Sequence, residues 1–441
     1  HGADAGYLTR VEAFLDVVAQ QHPAHPTKPI KEKFVVNEDF KRRTLWLPPM
    51  HAHASDLSAA VFEQFGYKAK ALPPEDRQAF EIGRSQVRGS ECLPTSVTIG
   101  GLLKTLKEQN ADPKEHAYFM ATATGPCRFG QYALLHRMIL DKNGYADMPI
   151  LSPSSTNSYQ GLEEKLRREL WWAFLASDIL YKMECRVRPY ENRTGQTNEV
   201  LAQQKDFLYK TLAQNNSLEK AIRKVADAFS AIPKTKEQKP LVGIVGEIYV
   251  RCNPFSNGYV VDHIEKYGGE AWLAPLSEWF LYTAHIQKWS ASQNLLNFSD
   301  KGKSLLKNRF LGSSEHKIYK WADAVLADRH EPPVEQVVDE GRKFLPINFE
   351  GEAIITIGRT VKFIDQGACL VVNCAPFGCM PGTLTSSIFQ EIEADRCVPI
   401  VSMYYDGEGE INKGIEIYIH EAQNAAGAKS SASATESVAG V

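Results

Sequence analysis

A strand, a helix closed by glycine and a second strand occur twice in this chain, and that repeat restricts the fold more than any other feature. In the first copy Thr44-Leu45-Trp46-Leu47 reads as an apolar strand ending at Pro48-Pro49. The loop Met50 to Ser55, a helix from Asp56 to Phe65 closing on Gly66, and the strand Ala69-Lys70-Ala71-Leu72 follow. In the second copy Leu241 to Val245 is a strand and Arg251 to Asn257 a loop. Gly258 to Tyr267 is a helix closing on Gly268, and Glu270 to Ala274 is the next strand. The stretches Phe65 to Pro73 and Tyr267 to Pro275 align residue by residue. Strands that alternate with helices pair in parallel, so the repeat predicts an α/β protein with parallel sheets.

The 441 residues exceed what one core usually holds, which predicts separate folding units. We expect an N-terminal helix and linker over 1–42, a first α/β lobe over 43–157, a helical connector over 158–238, a second α/β lobe over 239–421 and a disordered tail over 422–441. The first helix is read over 8–20 and the linker from His22 to Lys33. The connector is dense in Leu, Glu, Lys and Arg at helical spacing, and the tail is Ala/Ser/Gly-rich. With 50 basic and 53 acidic side chains and no long Lys/Arg block, the chain has no electrostatic footprint for nucleic acid or anionic membrane. No stretch approaches the roughly 18 apolar residues of a membrane span and no secretory pattern opens the chain. We therefore expect a cytoplasmic protein. The opening His1-Gly2-Ala3-Asp4-Ala5 reads as an interior cut in a longer chain.

Eight cysteines in such a chain are ligands, nucleophiles or small hydrophobes rather than a disulfide framework. Three of them stand at turns that open helices. Cys92-Leu93-Pro94 precedes the helical run Val97, Leu102, Leu103, Leu106, and Cys379-Met380-Pro381 precedes Ile388, Phe389, Ile392. Cys127 follows the apolar Ala117 to Met120 and leads into Tyr132, Leu135, Met138 and Ile139. A thiol there meets the positive end of a helix dipole and free N–H groups, which predicts a lowered pKa and a ligand-like character. In open parallel sheets such turns gather at the carboxyl ends of the strands, where thiols from both lobes converge. Three thiolates on one centre leave a fourth coordination position open; zinc is the alternative occupant on spacing alone. Cys369 and Cys397, in and beside a strand, are read as packing residues.

The strings Glu91-Cys92-Leu93-Pro94, Gly125-Pro126-Cys127-Arg128-Phe129-Gly130-Gln131-Tyr132, Arg186-Val187-Arg188-Pro189-Tyr190-Glu191, Gly246-Glu247-Ile248-Tyr249-Val250-Arg251 and Pro376-Phe377-Gly378-Cys379-Met380-Pro381-Gly382-Thr383 resemble the 2-hydroxyacyl-CoA dehydratase superfamily. They look most like the C-terminal part of its large CoA-enzyme activase proteins, over roughly 43–420. The resemblance implies two Rossmann-like lobes with a 4Fe-4S cluster between them, held by Cys92, Cys127 and Cys379. It also implies an ATP-hydrolysing iron-sulfur activase that supplies a low-potential electron, as a separate chain or a missing N-terminal part. In the dehydratase version that electron enters a thioester carbonyl and hydroxide is eliminated. No Gly-x-x-x-x-Gly-Lys-Ser/Thr occurs here, which agrees with ATP being hydrolysed elsewhere. A related branch carries an 8Fe-9S double-cubane cluster and reduces small molecules; Cys185, Cys252 and Cys374 would complete its six thiolates. A third version is a non-catalytic relay or scaffold module. Paired subunits, alike or different, are expected from the same resemblance.

Other candidates accompany the cysteines. His51, beside His53 after the first strand, is a candidate acid-base group or zinc ligand, against the reading of a solvated or hydrogen-bonded loop histidine. Glu247 and Glu278 are candidate proton donors, with capping of the next helix as the competing role. Arg128 is a candidate for offsetting cluster charge or binding a CoA phosphate. Arg186, Arg188 and Glu191 read as salt bridges between connector and lobes, and Trp171, Trp172 and Trp279 as packing residues.

Overall fold

A computed structural model describes Val11, Glu12, Leu15 and residues 38–424, apart from Thr124, Pro126, 155–158, Gln160, 294–297 and Glu350. Contacts divide the chain into His1–Val35 and Val36–Val441. In the first unit Val11, Glu12 and Leu15 are helical; the rest of the helix expected over 8–20, the linker and most of the tail lie outside the described residues. Everything below concerns the second unit.

The first lobe runs β1 (Thr44–Leu47), α1 (Ala54–Gln64), β2 (Lys68–Ala71), α2 (Arg77–Arg84), α3 (Leu93–Glu108), β3 (His116–Phe119), α4 (Tyr132–Lys142) and β4 (Ile150–Leu151). Three helices follow, α5 (Glu164–Val187), α6 (Gln196–Ala213) and α7 (Leu218–Ser230). The second lobe opens with β5 (Leu241–Gly246), α8 (Ile248–Cys252), α9 (Val260–Lys266) and β6 (Glu270–Leu273). It passes through α10 (Ser277–Ser292), α11 (Phe298–Trp321), α12 (Val334–Gly341) and α13 (Ala353–Asp365), and closes with β7 (Leu370–Pro376), α14 (Met380–Arg396) and β8 (Ile400–Tyr405). Among the described residues no helix is long and apolar enough to cross a membrane.

The fold is α/β with two Rossmann-like lobes. Each lobe holds one four-stranded sheet, ordered β2-β1-β3-β4 in the first and β6-β5-β7-β8 in the second, and every pairing is parallel. The central strands are buried along their whole length in the second lobe, Leu241–Gly246 and Leu370–Pro376, because helices cover both faces. The expected βαβ repeat is present, with Phe65 ending α1 and Tyr267 ending α9 one turn before the next strand. The short helix α8, Ile248–Cys252, is not among the expected elements and takes the first two residues of the loop expected over Arg251 to Asn257.

The helical layer is larger than the connector. Leu166, Leu170, Leu175 and Ile179 of α5 share one core with Tyr282 of α10, Leu311 and Ile318 of α11 and Val337 of α12. A second core joins Phe80, Leu93 and Val97 of the first lobe to Val242, Ile264 and Val372 of the second, with Tyr181 and Cys185 of α5. Polar contacts on α5 fix this seam. Arg186 pairs with Glu270 at 2.7 Å and Asp328 at 2.8 Å, and Arg188 with Glu265 at 2.5 Å, as the salt-bridge reading expects. Glu191 instead accepts from the N–H groups of Gly195 and Thr197 at the start of α6. Trp171 packs against Phe280, Trp279 against Tyr282, and Trp172 stacks on Trp321.

Candidate functional site

All three helix-turn cysteines are N-cap residues. Cys92 caps α3 in extended conformation (φ −69°, ψ 147°), and Cys379 caps α14 (φ −67°, ψ 122°). In both, proline enters the first turn, where its fixed φ suits a helix and its missing N–H leaves nothing unpaired. Cys127 (φ −72°, ψ 133°) caps a single 3₁₀ turn, Arg128–Gln131, that runs straight into α4. Cys127 and Cys379 follow strands β3 and β7, as expected. Cys92 does not: it joins two helices, α2 and α3. The Cys379 sulfur accepts from the Gly382 N–H at 3.4 Å, and a methyl on Gly382 would lie 2.7 Å from the Ala375 Cβ, so the turn admits only glycine there.

Arg128 fastens the three turns together. Its guanidinium leaves the Cys127 turn, donates through Nη1 to the carbonyl of Ser90 on the Cys92 loop, and donates through Nη2 to the carbonyl of Gly378 at 2.6 Å on the Cys379 loop. Gly378 has φ 69°, the left-handed conformation that presents that carbonyl. One exposed cation thus ties segments from both lobes.

The thiols are not acidic. Burial pushes Cys92 up, opposed by the Arg128 charge and a hydrogen bond from Tyr132. Cys127 reaches solvent at its surface but is crowded on its other sides, and that enclosure, with Glu352 next, pushes it up to about 12. Cys379 is raised by burial, then by Glu352 and Glu247. The dipole-based expectation of lowered thiol pKa is therefore corrected: desolvation and two carboxyls outweigh the helix ends. A metal that binds here displaces the thiol protons.

The carboxyls form the other half of the site. Glu247 caps α8, accepting from the Val250 N–H at 2.8 Å, so the capping role is present, and burial raises its pKa. Glu352 stands directly before α13 without capping it through its side chain, and is raised to about 8 by burial and by the charge of Glu247. Arg251, 1% exposed, tempers both charges while its own guanidinium donates to the carbonyls of Gly246, Ala274 and Pro275. Sequence reasoning missed Glu352 and Arg251. The signal for Glu352 was available only in part: an acid at the start of the apolar helical run Ala353, Ile354, Ile355, Ile357 marks a helix N-terminus, but not the burial that raises its pKa.

The remaining candidates lie elsewhere. His51 is buried; its Nδ1 accepts from the N–H groups of His53 (3.1 Å) and Ala54 (3.3 Å), and its Nε2 faces Asp178 at 3.5 Å. It is a hydrogen-bonded loop histidine that starts α1. His53 pairs with Glu184 at 3.0 Å, and burial lowers its pKa. Glu278 sits in the first turn of α10 and takes the Arg359 guanidinium, which also holds Glu331, itself paired with Lys182. Cys185 lies inside α5, Cys252 in α8 and Cys374 inside β7, all packed in the second core and all with raised thiol pKa. Cys369 donates to the Leu241 carbonyl at 3.3 Å, and Cys397 ends α14 in the left-handed conformation.

Among the described residues no group of three or more His, Cys, Asp or Glu side chains is placed to hold a metal ion. A zinc ion needs four donors within about 2.3 Å of itself. A polynuclear cluster differs, since it takes each thiolate on a separate iron, and three soft donors from separate turns fit it chemically. No protein-family model and no curated protein matches the chain.

Proposed function

We propose that the chain is an iron-sulfur redox protein of the 2-hydroxyacyl-CoA dehydratase/activase type, with a 4Fe-4S cluster on Cys92, Cys127 and Cys379 and with electrons supplied by an ATP-hydrolysing activase. The observation that carries this reading is the Arg128 clasp, which gathers three cysteine-capped helix starts from two lobes. The single cubane is favoured over the double because Cys185, Cys252 and Cys374 are core residues of a helix, a helix and a strand rather than turn residues. When bound, the cluster supplies one-electron chemistry at an iron that carries no cysteine.

The chain's own residues have defined parts in this reading. The three caps give up their protons as they ligate. Arg128 holds the loops and places a positive charge beside Cys92. Burial raises the pKa of Glu247, and burial together with the charge of Glu247 raises that of Glu352 to about 8, so both environments favour the protonated acid. Exposed Phe377 (72%) and Met380 (42%) flank Cys379 and give an electron donor an apolar surface to dock on.

The test is iron, acid-labile sulfide and zinc per chain after anaerobic purification and reconstitution. About four irons are expected, falling away in Cys92→Ala, Cys127→Ala and Cys379→Ala and persisting in Cys185→Ala, Cys252→Ala and Cys374→Ala. No iron, stoichiometric zinc, or the opposite pattern among the variants overturns the reading.

A further inference from the structure

The helical layer encloses a cavity of about 280 Å³ that the proposed function leaves unused. The end of α1, the early turns of α5, the end of α6 with its turn into α7, and the last residue of α11 meet around it. Drug-sized ligands take pockets of roughly 300–1,000 Å³, so an occupant here is small.

Trp172 and Trp321 form one wall. Their rings stack at 5.6 Å and 20°, and Phe310 meets Trp172 edge-on at 6.5 Å and 87°, so the indoles are held in place before anything binds. Both indoles are half-buried. The electron-rich face of an indole attracts cations. Charge points the same way. Glu169 and Glu219 line the cavity, and none of its lining residues is basic. Glu219 is paired with Arg223 at 3.0 Å, whereas Glu169 has no hydrogen bond or ion pair among the described residues. Its neighbour Arg168 places its guanidinium over the Phe310 ring at 5.2 Å. Glu169 is half-buried, and that burial raises its pKa, as expected of a carboxylate short of compensating charge.

The rest of the lining selects among cations. Gln64 and Asn216 bring amide groups to the rim, and Asn216 donates through Nδ2 to Gln214 at 3.1 Å, which leaves its oxygen to accept. Such oxygens suit an ammonium that carries N–H donors rather than a fully alkylated one. An anion is disfavoured although α7 begins here, because Ser217 caps that helix and Glu219 sits in its first turn.

We propose that this cavity binds a small primary alkylammonium ion, its N–H groups on the Glu169 carboxylate and the rim amide oxygens and its charge against the Trp172 and Trp321 rings. The inference is independent of the cluster reading, since no cysteine lines the cavity. Binding is non-covalent and transfers no proton or electron.

The experiment titrates the full chain, purified anaerobically, with butylammonium, tetramethylammonium and inorganic phosphate at constant ionic strength, read by calorimetry and tryptophan fluorescence. Butylammonium is expected to bind saturably with a Kd of about 1 mM. Glu169→Gln is expected to weaken that binding at least about tenfold, and Trp321→Leu to weaken it and to reduce the fluorescence change. Tetramethylammonium is expected to bind more weakly than butylammonium. Glu169→Gln alters a partly exposed side chain, so its urea midpoint and its bound iron should match wild type, which separates lost affinity from misfolding. Butylammonium that does not saturate, that binds Glu169→Gln as it binds wild type, or that binds more weakly than phosphate overturns the inference. Tetramethylammonium binding as tightly as butylammonium overturns it too, because N–H donors then contribute nothing. Iron missing from wild type defeats the cluster reading and leaves these titrations unaffected.

Discussion

Two adjacent glycines in α3 should respond to alanine with opposite signs. At Gly100 the new Cβ would lie 1.9 Å from the Ala79 carbonyl oxygen and 2.8 Å from the Gly83 nitrogen, both backbone atoms of α2 that cannot rotate away. Van der Waals contact needs more than 3 Å, so the two helices must part by over an ångström. Overpacking of this kind costs about 1–3 kcal/mol or more, against which the better helix propensity of alanine returns about 1 kcal/mol. At Gly101 the nearest atom to a Cβ is the Glu75 Cγ at 4.0 Å, ordinary contact, so only the propensity gain of roughly 0.5–1 kcal/mol remains. Urea unfolding followed by circular dichroism should place the Gly100→Ala midpoint below wild type and the Gly101→Ala midpoint above it. Because α3 starts at Cys92, Gly100→Ala should also lower iron retained after reconstitution. Equal shifts of the same sign would refute the argument that the crossing is set by backbone contact.

Further consequences can be measured on the same material. Arg359→Met leaves the Glu278 and Glu331 carboxylates without their buried cation and should cost roughly 3–5 kcal/mol; a loss under about 1 kcal/mol in urea unfolding would mean the pair is not desolvated. Glu75 is buried, takes hydrogen bonds from Tyr249 (2.7 Å) and Asn253 (2.9 Å), and has its pKa raised by desolvation from 4.5 to about 7. The folded state therefore binds the proton more tightly, and stability present below pH 4.5 is lost as pH rises to about 7, by roughly 3 kcal/mol. Urea midpoints of Glu75→Gln should lack that slope, and parallel pH profiles for the two proteins would contradict it. Arg128→Ala removes an exposed side chain, so the midpoint should move by less than about 1 kcal/mol while bound iron falls. Unchanged iron with unchanged midpoint would deny the clasp its role.

The parts of the structure legible in the sequence are those governed by local chemistry. Gly66 and Gly268 mark helix ends because only glycine enters the left-handed turn cheaply, and the apolar runs after them had to be strands. Cys92 and Cys379 announce themselves through a following proline that tolerates only an N-terminal turn. What depends on partners was not legible. The sequence reading assigns 239–421 to the second lobe and does not say that Tyr282 and Ile318 share a core with α5. The raised thiol pKa values of Cys127 and Cys379 depend on desolvation and then on Glu352, which lies far from Cys127 in sequence, and no spacing rule reports either. His51 stood where an α/β site often lies, yet Asp178 and the start of α1 absorb its polar atoms.

The clasp works only if the lobes hold one relative position, and α5 supplies that constraint. Along its last three turns Asp178 caps the N–H groups of Leu276 and Ser277, Lys182 pairs with Glu331, Glu184 with His53, and Arg186 and Arg188 with Glu270 and Glu265. Buried pairs of this kind add little net stability, because desolvation consumes most of the Coulomb gain, but a wrong register leaves charges unpaired at several kcal/mol each. They therefore select one arrangement of strands β1 and β6 about α5, and with it one arrangement of the three caps. A hinge that opened the lobes would have to break Glu75–Tyr249, Asn253–Pro49 and Arg77–Glu408 as well. Ligands must then reach the thiols through the rim where Cys127, Phe377 and Met380 are exposed, and opening the Arg128 clasp there costs two carbonyl hydrogen bonds rather than a core.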